Sequence, residues 1–237
     1  KKNDEVIVPS YTFVSSALAF LMQGAKIKFC DIRSDNMNID HNAIEKLITK
    51  KTKAIVVVHY GGFACDMDPI MKLAKKYKLY VIEDNAHGLF GKYNNKHLGT
   101  IGDLGTLSFH ETKNISCGEG GALIINNKKF HKRAKLIIEK GTNRMNFLEG
   151  NVKKYSWVDK GSSYIMSDIL AAILFHNLKN YKKIQNKRIK IWNLYFKKIK
   201  HWAKCNCIQL PKINKKCLHP SHLFFLIFPK KKDRSKF

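Results

Sequence analysis

Residues Ala54-Ile-Val-Val-Val58 form an unbroken apolar run in which four of the five side chains are β-branched. A run this short and this apolar suits a strand covered on both faces, not one that turns a polar side to water. Such strands belong to parallel sheets with helices above and below. Similar short runs recur at Val6–Val8, Lys26–Cys30, Leu79–Ile82, Leu104–Phe109 and Ala122–Ile125. The stretches between them read as helix: about 13–23, from a cap at Asp40 to about 48, from Asp68-Pro69 to about 78, and about 128–139. Strands separated by helices predict an α/β protein with a mostly parallel sheet flanked by helices.

No Pro or Gly interrupts Met166–Lys200, so long helices are expected there. Leu178, Tyr181, Ile184, Ile191, Leu194, Tyr195 and Ile199 recur at helical spacing, a stripe for core packing or a subunit contact. Pro211, Pro220 and Pro229 punctuate the tail, and Leu223–Phe228 reads as a late strand. These features divide the chain into a large domain over 1–175 and a linking helix with part of a smaller domain over 176–237. The chain begins at Lys1 without Met and ends soon after an apolar run, so it is expected to be a piece of a longer protein or the product of a damaged gene.

Composition excludes several classes. Hydrophobic residues make up 44% of the 237, enough for a sizeable core. No apolar run approaches the roughly 20 residues of a spanning helix, so no membrane association is expected. Six cysteines without a CxxC pair point to a reducing, cytoplasmic setting rather than a disulfide scaffold. The net charge is +26, and residues 179–237 carry +17 of it. Lysine far outnumbers arginine, and direct base readout favours arginine. The charge therefore reads as compositional drift, with no nucleic-acid partner expected; a basic, non-catalytic binding protein is the competing reading. Cys205, Cys207, Cys217, His219 and His222 are soft donors without the usual zinc spacing, and no metal is expected.

Ligands of open α/β sheets bind beyond the carboxyl ends of the strands. Three strands here end in reactive groups: one at His59, one at Glu83-Asp84 followed by His87, and one at Ser108 followed by His110 and Lys113. Pyridoxal phosphate chemistry uses a set of this kind. An amine binds the cofactor, a carboxylate keeps the pyridine nitrogen protonated, hydroxyls take the phosphate and an aromatic ring covers the face. Lys113, Asp84, Ser108 and Phe13 are able to fill these roles, although spacing alone does not require it. His59 and His110 are equally readable as satisfied strand-end histidines.

The segments 4–15 (DEVIVPSYTFVS), 81–88 (VIEDNAHG), 108–114 (SFHETKN), 118–122 (GEGGA) and 161–168 (GSSYIMSD) together resemble the DegT/DnrJ/EryC1/StrS sugar aminotransferases, in family order and spacing. The resemblance implies the fold-type I architecture of pyridoxal phosphate-dependent aminotransferases, with a truncated small C-terminal domain, and a homodimer. It implies transfer of an amino group from L-glutamate to a nucleotide-linked keto sugar. By that resemblance Lys113 is the lysine that carries the cofactor, Asp84 the partner of the pyridine nitrogen, and His87 the group against the 3′-oxygen. Ser108 is a phosphate ligand and Phe13 the stacking ring. Lys rather than His at 113 points to the transaminase branch over the dehydratase branch. Two departures stand out. The family's Gly-Thr/Ser-Ala phosphate turn would lie before residue 1. Its Asn-Tyr-Arg motif reads Ser163-Tyr164-Ile165, which leaves Ser163 as a weak contact to the neighbouring subunit's phosphate.

Overall fold

The computed structural model describes residues 1–237. In chain order the main elements are β1 (Glu5–Pro9), α1 (Ser15–Leu21), β2 (Lys26–Cys30), α2 (His41–Ile44), β3 (Thr52–Val58), α3 (Met67–Tyr77) and β4 (Tyr80–Asp84). Two short strands follow, β5 (Lys92–Tyr93) and β6 (Lys96–His97), then β7 (Leu104–Ser108), β8 (Gly121–Ile125), α4 (His131–Ile138) and α5 (Arg144–Leu148). The remainder comprises α6 (Asp168–Lys179), α7 (Tyr181–Cys205), β9 (Cys217–Leu218) and α8 (Lys231–Lys236).

The main sheet has the order β2-β1-β3-β4-β7-β8. Its first four pairings are parallel, and β8 closes the edge antiparallel to β7. Alternation along the strands builds two cores. Ile7, Ile55, Val57 and Val81 face α2 and α3, packing on Ile44, Met67, Ile70 and Ala74. Val6, Val8, Ala54, Val56 and Val58 face the other way, toward Ala17 and Phe20 of α1. Ile55 is fully buried at the centre, a burial worth about 1.5–3 kcal/mol. The six strands named from sequence between residues 6 and 125 all form, because short apolar runs buried between helices have few alternatives.

The helix before β4 begins differently from the expectation. Asp66, not Asp68, holds the N-cap position of α3, and Asp68 lies inside the first turn. Asp68 instead accepts from Tyr93 Oη at 2.9 Å and pairs with Lys216 Nζ at 2.8 Å, tying β5 and the residue before β9 to α3. Lys78, at φ 55°, ends α3 in the left-handed conformation.

The C-terminal third departs further. The long helices expected over 166–200 form as α6 and α7, divided at Asn180, and α7 runs on to Cys205. The inward face of α7 is Gln185, Trp192 and Ala203, whereas Ile191, Leu194 and Tyr195 of the expected stripe are exposed. Leu223–Phe228 forms no strand; it makes a single bridge, Gln209 to Ile227. The late strand is β9, which adds antiparallel to β5. No helix is long and apolar enough to cross a membrane.

Candidate active site

Adjacent residues on a strand point to opposite faces, and this separates Glu83 from Asp84. Glu83 turns toward α3 and is fully buried. Its carboxylate accepts from His59 Nε2 at 2.9 Å and from the backbone N–H groups of Gly99 (2.8 Å), Ile101 (2.6 Å) and Gly102 (2.6 Å). His59 Nδ1 accepts from Cys65 N, so Nε2 carries the proton. Burial alone would raise Glu83, but His59 and the backbone donors hold it below the ordinary carboxylate range. Gly105, paired with Glu83 in register, leaves room for this loop; a Cβ there would strike Gly99 O. Glu83 and His59 are thus a closed structural pair.

Asp84 turns toward α1. Ser16 Oγ of that helix donates to Asp84 Oδ2 at 2.7 Å, and Ala86 N donates to Oδ1 at 3.1 Å. Thr106 of β7 pairs with Asp84 in parallel register, so Ser108, two residues on, shares its face. Ser108 Oγ accepts from His110 N at 3.4 Å. Lys113 follows that strand. Burial lowers its amine, while the nearby Asp84 charge pulls the other way. His87 is pushed down to about 4 by burial and by the Lys113 charge, against the opposing pull of Asp84. Asp84, His87 and Lys113 therefore act on one another at the carboxyl end of the sheet.

The other residues singled out from sequence are placed less closely. Phe13 lies one turn before Ser16 and is 75% exposed. Ser163 is exposed on a separate segment, bridged to Glu139. His110 bonds Thr112 and lies 3.5 Å from Glu119. Cys205 and Cys207 are exposed, Cys217 packs on the α3 core and His219 bonds Gly61 O. No group of three or more potential metal ligands forms.

Sequence reasoning did not single out Ser16, Asn114 or, as a neighbour of the site, His222. Ser16 had one local signal, a hydroxyl on an otherwise apolar helix face. Asn114 follows Lys113 directly. His222 comes from the tail and carries no local signal.

The donor set fits pyridoxal phosphate. Neither Asp84 nor Lys113 belongs to an ion pair, so a carboxylate and an amine lie near one another without an ionic partner. A cationic ring nitrogen and an aldehyde carbon satisfy one each.

A mostly parallel sheet with this order, and a lysine beyond its strand ends, define the fold-type I framework of pyridoxal phosphate-dependent aminotransferases. The chain belongs to the DegT/DnrJ/EryC1/StrS aminotransferase family, whose sequence pattern spans residues 1–237. Aminotransferases of this family depend on pyridoxal phosphate. Relatives include GDP-perosamine synthase of Escherichia coli O157:H7, 35% identical over 92% of this chain and 57% of its own. Another is the UDP-4-amino-4,6-dideoxy-N-acetyl-beta-L-altrosamine transaminase of Campylobacter jejuni, 34% identical over 94% of this chain and 59% of its own. The solved structure of the aminotransferase from Psychrobacter cryohalolentis superposes with a TM-score of 0.86 at 29% identity, covering 93% of this chain and 58% of that one. The chain thus spans less than two thirds of the length of these relatives.

Proposed function

We propose that the chain is the greater part of a transaminase that moves an amino group from L-glutamate to a nucleotide-linked keto sugar. The carrying observation is the trio Asp84, His87 and Lys113 on the α1 face of the sheet, with an amine made less basic by burial. Lys113 and Asp84 would hold the cofactor at its two ends of charge, His87 would face its 3′-oxygen, Ser108 its phosphate and Phe13 its ring. When bound, pyridoxal phosphate supplies an electron sink for the pair freed as a Cα–H bond breaks. Lys113 Nζ would take the proton from Cα of the amino acid and, in the second half of the reaction, return a proton to the sugar carbon that gains nitrogen. Its lowered basicity suits a group that must alternate between amine and ammonium. Asp84, held in place by Ser16 and Ala86, would lie beside the ring nitrogen.

The finer reading is amination of dTDP-4-keto-6-deoxyglucose to dTDP-4-amino-4,6-dideoxygalactose, for surface polysaccharide of the enterobacterial common antigen or lipopolysaccharide kind. Segments 31–40, 58–68, 108–114 and 139–144 support it by their likeness to the transaminase that makes that sugar. Residues 1–175 would form the cofactor-binding domain and 176–237 the link to the smaller one, with α6 crossing the division. A second copy would complete the site as a homodimer, with Ser163 reaching the partner's phosphate. Exposed Trp157, Ile165, Ile169 and Phe175 favour that contact. Six free cysteines favour the cytoplasm.

The chain mixed with pyridoxal phosphate is expected to gain a visible absorbance band that fades on adding L-glutamate. Lys113→Ala should abolish the band and lower turnover by about 10²–10⁴-fold. A Lys113→Ala chain that keeps both would overturn the assignment. The +17 surplus of residues 179–237 favours one other reading, a non-catalytic protein for an anionic polymer. Tight, salt-dependent nucleic-acid binding without the absorbance band would support that alternative.

A further inference from the structure

The tail returns to the site along a defined path. β9 joins β5, and His219 Nε2 then donates to Gly61 O at 3.2 Å while Ser221 N donates to His219 Nδ1. Leu223 N also donates to Gly61 O. Asn114, the residue after Lys113, donates through Nδ2 to Pro220 O at 2.9 Å and to Gln185 Oε1 at 3.3 Å. Gln185 Nε2 donates to the same Pro220 carbonyl at 2.6 Å. With Nδ2 so used, Asn114 Oδ1 is the acceptor for His222 Nδ1–H at 2.7 Å. This fixes the His222 tautomer. The ring it fixes lies stacked on His87, with centroids 4.4 Å apart and planes 24° apart.

His87 is clamped on its other sides too. Gly61 N donates to His87 Nδ1 at 3.1 Å, so the ring proton sits on Nε2. The Tyr60 ring meets His87 edge-on at 5.4 Å. The backbone at Gly61 and Gly62 makes this possible. Both have positive φ, 62° and 91°, and a Cβ on Gly62 would lie 2.7 Å from Pro220 Cγ.

We propose that His222 is a positioning residue of the active site: stacked on His87 and anchored by Asn114, it seals that ring from water and holds it as a neutral Nε2–H donor. What the donor serves rests on the function proposed above; the sealing itself does not. His87 faces Lys113, Asp84, Tyr60 and His222, and His222 faces His87, Lys113, Arg188 and His219. A proton on His222 would be buried beside Lys113 and Arg188, both cations, whereas at His87 the charge of Asp84 opposes that of Lys113. Burial first, and these charges second, push His222 down to about 3. A neutral ring can donate one hydrogen bond to a phenolate-type oxygen without giving up its proton. A protonated ring exposed to water would exchange that role for a diffuse charge.

The test is a histidine NMR titration of the full chain without cofactor, with the His87 signal assigned from a His87→Asn spectrum. In the unaltered chain His87 is expected to stay neutral until near pH 4. His222→Ala should raise its midpoint toward the ordinary histidine value of about 6.5. His222→Phe, which keeps a ring on His87 without the Asn114 bond, should leave the midpoint below about 5. Gly62→Ala, whose Cβ would press directly on Pro220 Cγ and on the His87 carbonyl, should act like His222→Ala, and it carries the test if His222→Ala does not fold. An unmoved midpoint in His222→Ala, or a rise as large in His222→Phe, would overturn the proposal. Turnover is not part of this readout. The expected shift in a chain without transaminase activity would keep the seal and sink the enzyme assignment; an active chain with an unmoved His87 would do the reverse.

Discussion

Glu83 and Asp84 are neighbours on β4, each with a histidine close by, and their surroundings could hardly differ more. Glu83 is buried with four hydrogen-bond donors on its two oxygens, one of them His59. Asp84 has two donors, Ser16 and Ala86, and faces an amine it does not bond. The first carboxylate has no capacity left for a ligand; the second has been held in place but left unspent. Residue type does not separate structural from chemical groups here. Strand alternation and hydrogen-bond saturation do.

Substitutions can test that division. Glu83→Ala would strand His59 and three backbone N–H groups in the interior, costing about 3–5 kcal/mol of stability in denaturant unfolding. A cost under about 1 kcal/mol would mean the pair is not structural. Asp84→Asn keeps its shape and its place on the half-buried face toward α1, so stability should change by less than about 1 kcal/mol. Turnover should fall by about 10²–10³-fold, measured as keto-sugar amination, because the charge beside the ring nitrogen is lost. Equal effects of the two substitutions on stability would erase the contrast.

Acid gives the smallest effect and separates the two faces by pH. His87, His219 and His222 sit at about 4, 4 and 3 when folded, against an ordinary 6.5. The unfolded chain therefore binds protons that the folded chain refuses, and stability rises with pH across that window. It is complete above 6.5 and declines as pH falls toward 4. Glu83 is depressed from 4.5, so its share is present above 4.5 and lost only as pH falls through its folded value. Urea unfolding should show a loss of about 1–2 kcal/mol between pH 7.5 and pH 6, from the site-side histidines alone. A flat profile over that range would mean those rings titrate normally.

Much of the framework was readable in the chain itself. The run at 54–58 demanded cover on both faces, and strand-end logic brought Asp84, His87, Ser108 and Lys113 to one edge. Alternation also placed Glu83 opposite Asp84, but which face carried the site depended on where α1 packed. Asp68 resembled a cap because Pro69 follows it; the helix starts two residues earlier and spends Asp68 on Tyr93 and Lys216. Leu223–Phe228 had the composition of a strand but lacks a neighbouring edge to join. Its backbone instead serves Gly61, Trp192 and Gln209. His222 was invisible locally because its partner Asn114 lies 108 residues away.

That separation has a consequence for the order in which the protein is made. His219 meets Gly61 across 158 residues, and Pro220 meets Asn114 across 106. Contacts of such long range close late, after local helices and neighbouring strands have formed. On a ribosome the sheet through β8 and its lysine would emerge well before the stretch that dries the pocket. The nascent chain would thus pass through a stage with an open, wetted amine, reactive toward any aldehyde in its surroundings. Residues 219–223 close beside that amine only afterwards, so under the proposal above its selectivity is acquired later than its reactivity.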